Sequence, residues 1–424
     1  MDYSIMVTLG FLVFAIVMFA MEKLPLSVTA MITAVGLHLA GVLTAKEAFA
    51  GFVDSNVILF MAMFIIGAAF FETGVAVAVG NVVNKFAKNE TILIVAIMML
   101  TGIMSGFLSN TGTAAVMIPV VIGICKKGVF NATKFLMPIV FAAAMGGNIS
   151  MIGSPGNMIA NSNLQQAGLG SFGFFDYGWV GLPMLIVGTI FYALIGKRFL
   201  PETPSRTPDA NYSENDDYSH IPTWKKWNDA VVLVLTILAM IFEKQIGVSL
   251  AVSSWIGALV LVATGVISET SAVKSIDMKT ILLFAGSLAL GTAMVKSGTG
   301  AYLADIIVQA LGDTPNPFVL LLVLFWLSVF MTNFMSNTAD VALLAPIGLT
   351  LASTLGYDPR AILVAIVISS SLAYATPIGM PANTMIYNVA GYSFKDFVKA
   401  GLPLIIVSAI VSLVLLPILF PFNP

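Results

Sequence analysis

Apolar runs close to bilayer-crossing length recur along the whole chain. They lie at about 5–20, 25–43, 56–73, 93–125, 135–168 and 178–200, and again at about 229–243, 249–267, 280–296, 316–357, 361–390 and 401–420. A helix needs roughly 20 predominantly apolar residues to cross the hydrocarbon core, and in lipid each backbone polar group must be satisfied within the fold. The chain is therefore expected to be an all-α polytopic membrane protein whose solvent is mostly lipid. Its charged residues make up 9% of the sequence, against about 25% in soluble domains, which excludes a soluble enzyme. A net charge of -2 offers no basic field, so nucleic acid is not an expected partner. Cys125 stands alone and cannot form an internal disulfide, and two histidines with one cysteine make a poor zinc set. The start, Met1-Asp2-Tyr3-Ser4, lacks the basic segment of a signal peptide, so the first run is expected to be kept as a span.

Two runs in each half are too long for one crossing. Between the halves, residues 203–227 form the one sustained polar stretch, with Pro204, Pro208, Asp209, Glu214, Asp216, Asp217 and Pro222. This composition reads as an exposed cytoplasmic linker joining residues 1–202 to 228–424.

The halves are related. Gly41-Val42 falls on Gly265-Val266 and Phe60 on Phe284 with an offset of 224, and Ser109-Asn110-Thr111 falls on Ser336-Asn337-Thr338 with an offset of 227. Ile152-Gly153-Ser154-Pro155 with Asn157 matches Ile378-Gly379-Met380-Pro381 with Asn383, and Gly181-Leu182-Pro183 matches Gly401-Leu402-Pro403. Shared membrane-helix composition explains the hydrophobicity but not these ordered polar signatures. If each half has about five transmembrane helices plus one re-entrant hairpin, the odd number of crossings inverts the second half. With both termini outside, 15 of the 19 basic residues then lie inside, and only Lys46, Lys244, Lys296 and Arg360 lie outside. The expectation is two inverted-topology repeats.

Helix breakers and side-chain amides are costly at membrane depth, because irregular backbone survives there only in a protein interior or a wet cavity. Here they come in pairs. The hairpins at 93–125 and 316–357 turn at Ser105-Gly106-Phe107-Leu108-Ser109-Asn110-Thr111 and at Thr332-Asn333-Phe334-Met335-Ser336-Asn337-Thr338. The runs at 135–168 and 361–390 are broken at Gly153-Ser154-Pro155 and Gly379-Met380-Pro381, where proline frees carbonyls. Matched breaks in two inverted halves point to the midplane site of a secondary transporter. A tip offers carbonyl oxygens to a cation and N–H groups to an anion. No Lys or Arg falls in either tip or break, so an anion would rely on helix N-termini, hydroxyls, amides and co-bound cations such as Na+. Asp340, two residues beyond the second tip, is either a helix-cap acid or a coupling acid for a cation or proton. Glu72 reads as interfacial and His38 as a core residue.

Paired Ser-Asn-Thr tips, each followed by a broken helix with Gly-x-Pro-x-Asn, resemble the divalent anion/sodium symporter family of the ion transporter superfamily, over almost the whole chain. The resemblance implies an elevator-type homodimer with scaffold and transport domains, in a prokaryotic inner membrane. It implies two or more Na+ sites, and di- or tricarboxylates or sulfate as the small anionic substrate. Carried over, one Na+ site would use Ser105, Ser109, Asn110 and the Gly153 backbone. The other would use Thr332, Asn337 and the Gly379 and Pro381 backbones. The anion would lie among Asn110, Thr111, Ser154, Asn337 and Thr338. The family's usual hydroxyl before the second proline is Met380 here, its second proline is Gly156 or Ala382, and its extra N-terminal helix has no counterpart. An anion exchanger, a Na+/H+ antiporter and an arsenite or oxyanion transporter share this architecture. A channel would line a continuous pore with both hairpins, and a membrane enzyme lacks the H-E-x-x-H pair or acidic cluster that catalytic metal needs.

Overall fold

The computed structural model describes residues 2–21, 23–86, 89–127, 130–207, 218–311 and 316–423. Lys88 and, within the polar stretch, Pro208, Asp209, Glu214, Asp216 and Asp217 lie outside the described residues. Among those described, the chain is helical with no strands. Ser55–Glu72, Met278–Ser297 and Phe394–Leu419 are long and apolar enough to cross a membrane, and ten shorter apolar helices accompany them.

Solvent preference is reversed relative to a soluble protein. On Phe394–Leu419, Leu402, Ile406, Ile410, Val414 and Ile418 are exposed at four-residue spacing, giving one apolar stripe along the whole helix. Ser408 and Ser412 of the same helix are buried. A face of that kind is at rest only against lipid.

Each half contains a hairpin and a broken helix. The first hairpin has a leading arm Glu90–Ser105 and a trailing arm Asn110–Lys127; the second has Pro317–Thr332 and Asn337–Thr354. The broken helices consist of Thr133–Gly146 with Pro155–Gln166, and Arg360–Ser370 with Pro381–Val389. Proline opens both second half-helices at the position where its missing N–H costs nothing. Two further helices, Gly178–Leu194 and Phe394–Leu419, pack on each other, and the Tyr192 hydroxyl donates to the Ala400 carbonyl at 2.8 Å.

The Gly-Leu-Pro repeat now has a reason. A Cβ on Gly181 would lie 2.3 Å from the Asn148 carbonyl oxygen, and one on Gly401 2.0 Å from the Tyr374 carbonyl oxygen. Each glycine lets a supporting helix touch the unwound backbone of a break. Gly401→Ala is expected to force the two apart at about 1–3 kcal/mol, the usual cost of overpacking. A lowered thermal midpoint of the purified protein is the readout, and an unchanged midpoint would refute the close-approach argument.

The halves are not packed alike. A smaller apolar core joins Tyr3–Met21, Leu26–Leu39 and Met278–Ser297 to Met335, Ala339 and Leu343 of the second hairpin. The first hairpin's trailing arm instead packs against Thr133–Gly146, Val75–Gly80 and Pro381–Val389. The second hairpin is thus wedged against the N-terminal helices, whereas the first packs among elements of the broken helices and Val75–Gly80.

Candidate functional site

Around each tip the backbone is held by the same set of bonds. Asn157 Nδ2 donates to the Gly147 and Ser150 carbonyls at 2.9 and 2.7 Å, and Asn383 Nδ2 donates to those of Ala373 and Thr376 at 2.6 and 2.9 Å. The Asn of each Gly-x-Pro-x-Asn signature therefore staples its own break. Ser150 Oγ and Thr376 Oγ1 reach across to the neighbouring tip, donating to the Gly106 and Asn333 carbonyls. Ser371 Oγ donates to Asn148 Oδ1 at 3.2 Å and ties one break to the other.

Inside this frame, oxygens converge on each tip asparagine. The amide end of Asn110 lies 2.7 Å from Ser105 Oγ and 3.2 Å from the Ala143 and Gly153 carbonyl oxygens. That of Asn337 lies 2.9 Å from Thr332 Oγ1, 3.2 Å from the Ser370 oxygen and 3.1 Å from the Gly379 oxygen. Ser105 Oγ also donates to the Ala143 carbonyl at 2.7 Å, and Thr332 Oγ1 donates to that of Ser370. The cluster admits two fillings. With the amide nitrogen inward, all the acceptors receive N–H bonds. With the oxygen inward, the oxygens outnumber the available protons, a set that a hard cation satisfies. Ser105, Asn110 and Gly153 thus meet in one cluster and Thr332, Asn337 and Gly379 in the other. Ser109 stands apart, because its hydroxyl accepts from the Gly112 N–H at 3.1 Å and serves as a helix cap. Pro381 lines the cavity described next.

A cavity of 350 Å³ lies between the tips, within the usual range for small-molecule sites. Ser109, Asn110, Thr111, Gly153, Ser154, Ser336, Asn337, Thr338, Met380 and Pro381 line it, with Phe60, Met63 and Phe64 as an apolar wall. Four half-helices begin on it, at Asn110, Pro155, Asn337 and Pro381. Each N-terminus carries roughly half a positive charge and free N–H groups. The Ser154 hydroxyl makes no cap bond, although Ser154 holds the capping position. Its counterpart Met380 has nearly the same backbone angles but no donor. Among the lining residues none is basic, and the single charged group is Asp277.

Asp277 and Thr280 had no motif to announce them. Asp277 caps Met278–Ser297, accepting from the Lys279 N–H at 3.1 Å and from Thr280 Oγ1 at 2.6 Å. Its counterpart Asp54 caps Ser55–Glu72 but is engaged elsewhere. Ser162 Oγ donates to Asp54 Oδ1 at 2.7 Å, and Asn56 Nδ2 donates to Ser162 Oγ at 2.8 Å and to Gln165 Oε1 at 2.9 Å. One cap is thus sealed against a broken helix while the other borders the cavity. Asp340 does not line the cavity; it is fully buried one turn behind Asn337.

Glu47, outside the spans, pairs at 2.7 Å with Lys296 in the last turn of Met278–Ser297. The lysine and the cap bonds from Thr44 hold the Glu47 carboxyl down at about 2. The pair borders a second cavity of 720 Å³, between Met278–Ser297 and the trailing arm of the second hairpin.

Comparison with known proteins agrees with this architecture. A family model described as citrate transporter matches residues 16–357 and 334–423. The uncharacterized transporter YfbS of Escherichia coli is 24% identical over 613 aligned positions, covering 100% of both chains. An uncharacterized transporter of Haemophilus influenzae is 27% identical, covering 95% of this chain and 89% of its own. The sodium-dependent dicarboxylate transporter SdcS of Staphylococcus saprophyticus is 23% identical, covering 94% and 83%. Among solved structures, the YdaH transporter of Alcanivorax borkumensis superimposes with a TM-score of 0.66 at 17% identity, over 98% of this chain and 99% of that one. MtrF of Neisseria gonorrhoeae, described as representing a class of antimetabolite efflux pumps, gives 0.65 at 14%, over 100% and 98%.

Proposed function

Because the chain belongs to the citrate transporter family, of the divalent anion/sodium symporter type, we propose that this membrane transporter couples Na+ to the movement of a small anion. The cargo is a di- or tricarboxylate, with sulfate in the same charge class. One observation carries the reading: four helix N-termini open on a single cavity with no basic side chain. Such a cavity attracts anions and needs an outside source of full positive charge. The oxygen clusters at the tips suit that source. Na+ would be held by Ser105, Asn110 and Gly153 on one side and by Thr332, Asn337 and Gly379 on the other, with the Ala143 and Ser370 carbonyls. It would supply the charge that the lining lacks.

The chain's own residues do the rest. Asn110, Thr111, Asn337, Thr338 and Ser154 present donors to the anion, while Phe60, Met63 and Phe64 exclude water from one flank. The paired hairpins and breaks belong to inverted repeats and move as a transport domain against a homodimeric scaffold. Both termini lie outside a prokaryotic plasma membrane. In this reading the present conformation is open on the Asp277 side and closed by Asp54, Asn56, Ser162 and Gln165 on the other, as alternating access requires.

Uptake of radiolabelled succinate, citrate, sulfate and arsenite into proteoliposomes, with and without an inward Na+ gradient, tests this. Na+-stimulated uptake of a di- or tricarboxylate or of sulfate is expected. Uptake that needs a trans anion instead of Na+ identifies an exchanger. Arsenite movement, or proton movement with no organic anion, would replace the reading with the oxyanion or antiporter alternative.

A further inference from the structure

The arms of the second hairpin are joined by two polar rungs, and only the first faces the cavity. Thr332 and Asn337 form the outer rung at 2.9 Å. One turn deeper, Ser328 Oγ and Asp340 Oδ2 form another at 2.6 Å, with both residues fully buried. In the first hairpin the outer rung is Ser105 with Asn110, and the deeper positions hold Thr101 and Thr113, whose buried hydroxyls have no partner. All four equivalences share the offset of 227. The second hairpin thus carries an acid where the first carries a threonine.

We propose that Asp340 is a proton-exchange site, holding a proton while Na+ is absent from the second tip and releasing it when Na+ binds there. The inference rests on the Na+-coupled reading. Three observations carry it. First, Asp340 Oδ1 has no hydrogen-bond partner, and a buried carboxylate in that condition needs a positive charge or a proton. Second, among the described residues no fixed cation faces it. Pro155–Gln166, Pro317–Thr332 and Tyr3–Met21 carry no charged residue, and Met278–Ser297 has only its end lysines, with Lys296 paired to Glu47. Asp305 on Thr299–Leu311 is exposed, and Arg360 opening Arg360–Ser370 is paired with Asp358. Third, Ser328 can serve both states: its hydroxyl donates to the carboxylate, or accepts from the protonated acid and turns to the Ile366 carbonyl at 3.4 Å. Two nearby oxygens are too few for a dehydrated Na+, whereas a proton needs one acceptor. Na+ on Asn337 would sit one helical turn away and supply the charge that the ionised acid lacks. The proton passes to water at the cavity, and the Ser328 hydroxyl swings back to Oδ2.

Purified protein in a weakly buffered detergent solution with a pH-indicator dye provides the test, with NaCl added against choline chloride. Wild type is expected to release one proton per chain on Na+ addition, and Asp340→Asn less than a tenth of that, while Na+ still raises the thermal midpoint of both. Ser328→Ala keeps the acid and removes its relay. Its proton release is expected over a displaced pH range, so the proposal stays testable if Asp340→Asn fails to fold. Equal release from Asp340→Asn and wild type, or no release from a wild type that Na+ stabilises, would overturn the site. A wild type that Na+ fails to stabilise would overturn the Na+ reading and this inference with it.

Discussion

Asn110→Ala and Asn337→Ala are each expected to cut Na+-driven anion uptake at least tenfold at unchanged protein level. Each amide touches one hydroxyl and two backbone carbonyls of other elements, so alanine removes a central link between hairpin and broken helix. Leaving a buried acceptor unpaired costs about 1–3 kcal/mol, and about 1.4 kcal/mol is a factor of ten. Loss of two or three such contacts amounts to about 2–9 kcal/mol, which is more than one order of magnitude in Na+ or anion binding even at the low end. Initial uptake rates against Na+ concentration would separate the two, with a raised half-saturation for Na+ if the oxygen cluster is the cation site. Near-normal uptake in both variants would remove these residues from the site.

The second large effect concerns stability. Asn157→Leu and Asn383→Leu keep the volume and remove two N–H donors from carbonyls that have left a helix ladder. For Asn383 a loss of about 2–6 kcal/mol follows from two orphaned carbonyls, and less for Asn157, because the Gly153 N–H still reaches the Ser150 carbonyl at 3.4 Å. The expected outcome is aggregation or a sharply lower midpoint in detergent, measured by size-exclusion chromatography after a temperature ramp. Wild-type stability would mean that the breaks are held by something other than their asparagines.

Much of this arrangement was legible in the residues, for a physical reason. Asn110, Ser154, Asn337 and Pro381 are costly in lipid, so their presence in apolar runs already marked where the chain must fold on itself. The carbonyls of Ala143 and Ser370 were not legible, because a backbone oxygen has no letter in the sequence. Only the three-dimensional break shows which residue in the last turn of a half-helix turns its oxygen toward the amide. Ser109 has a role that its letter does not announce. A hydroxyl beside Asn110 reads as a ligand, yet the helix starting there uses it first as a cap. Asp277 was hidden because a capping acid at the start of an apolar helix looks like Asp54, and only the asymmetric packing of the halves tells them apart. Asn157 and Asn383 stood out as a motif, but their role as staples required the fold.

The absence of any basic side chain from the cavity bears on how the cycle closes. A permanent lysine or arginine among the four helix ends would leave an unloaded carrier with a naked charge to drag through a low-dielectric barrier, at a Born cost of several kcal/mol or more. Such a machine turns over only when another anion rides back. In the proposed cycle the attraction comes from dipoles that belong to the backbone, and the full positive charges would arrive and depart with the cargo. The one charged group lining the cradle among the described residues is Asp277 and no fixed cation travels with it, so in the proposed Na+-coupled cycle the return stroke would need no counter-anion.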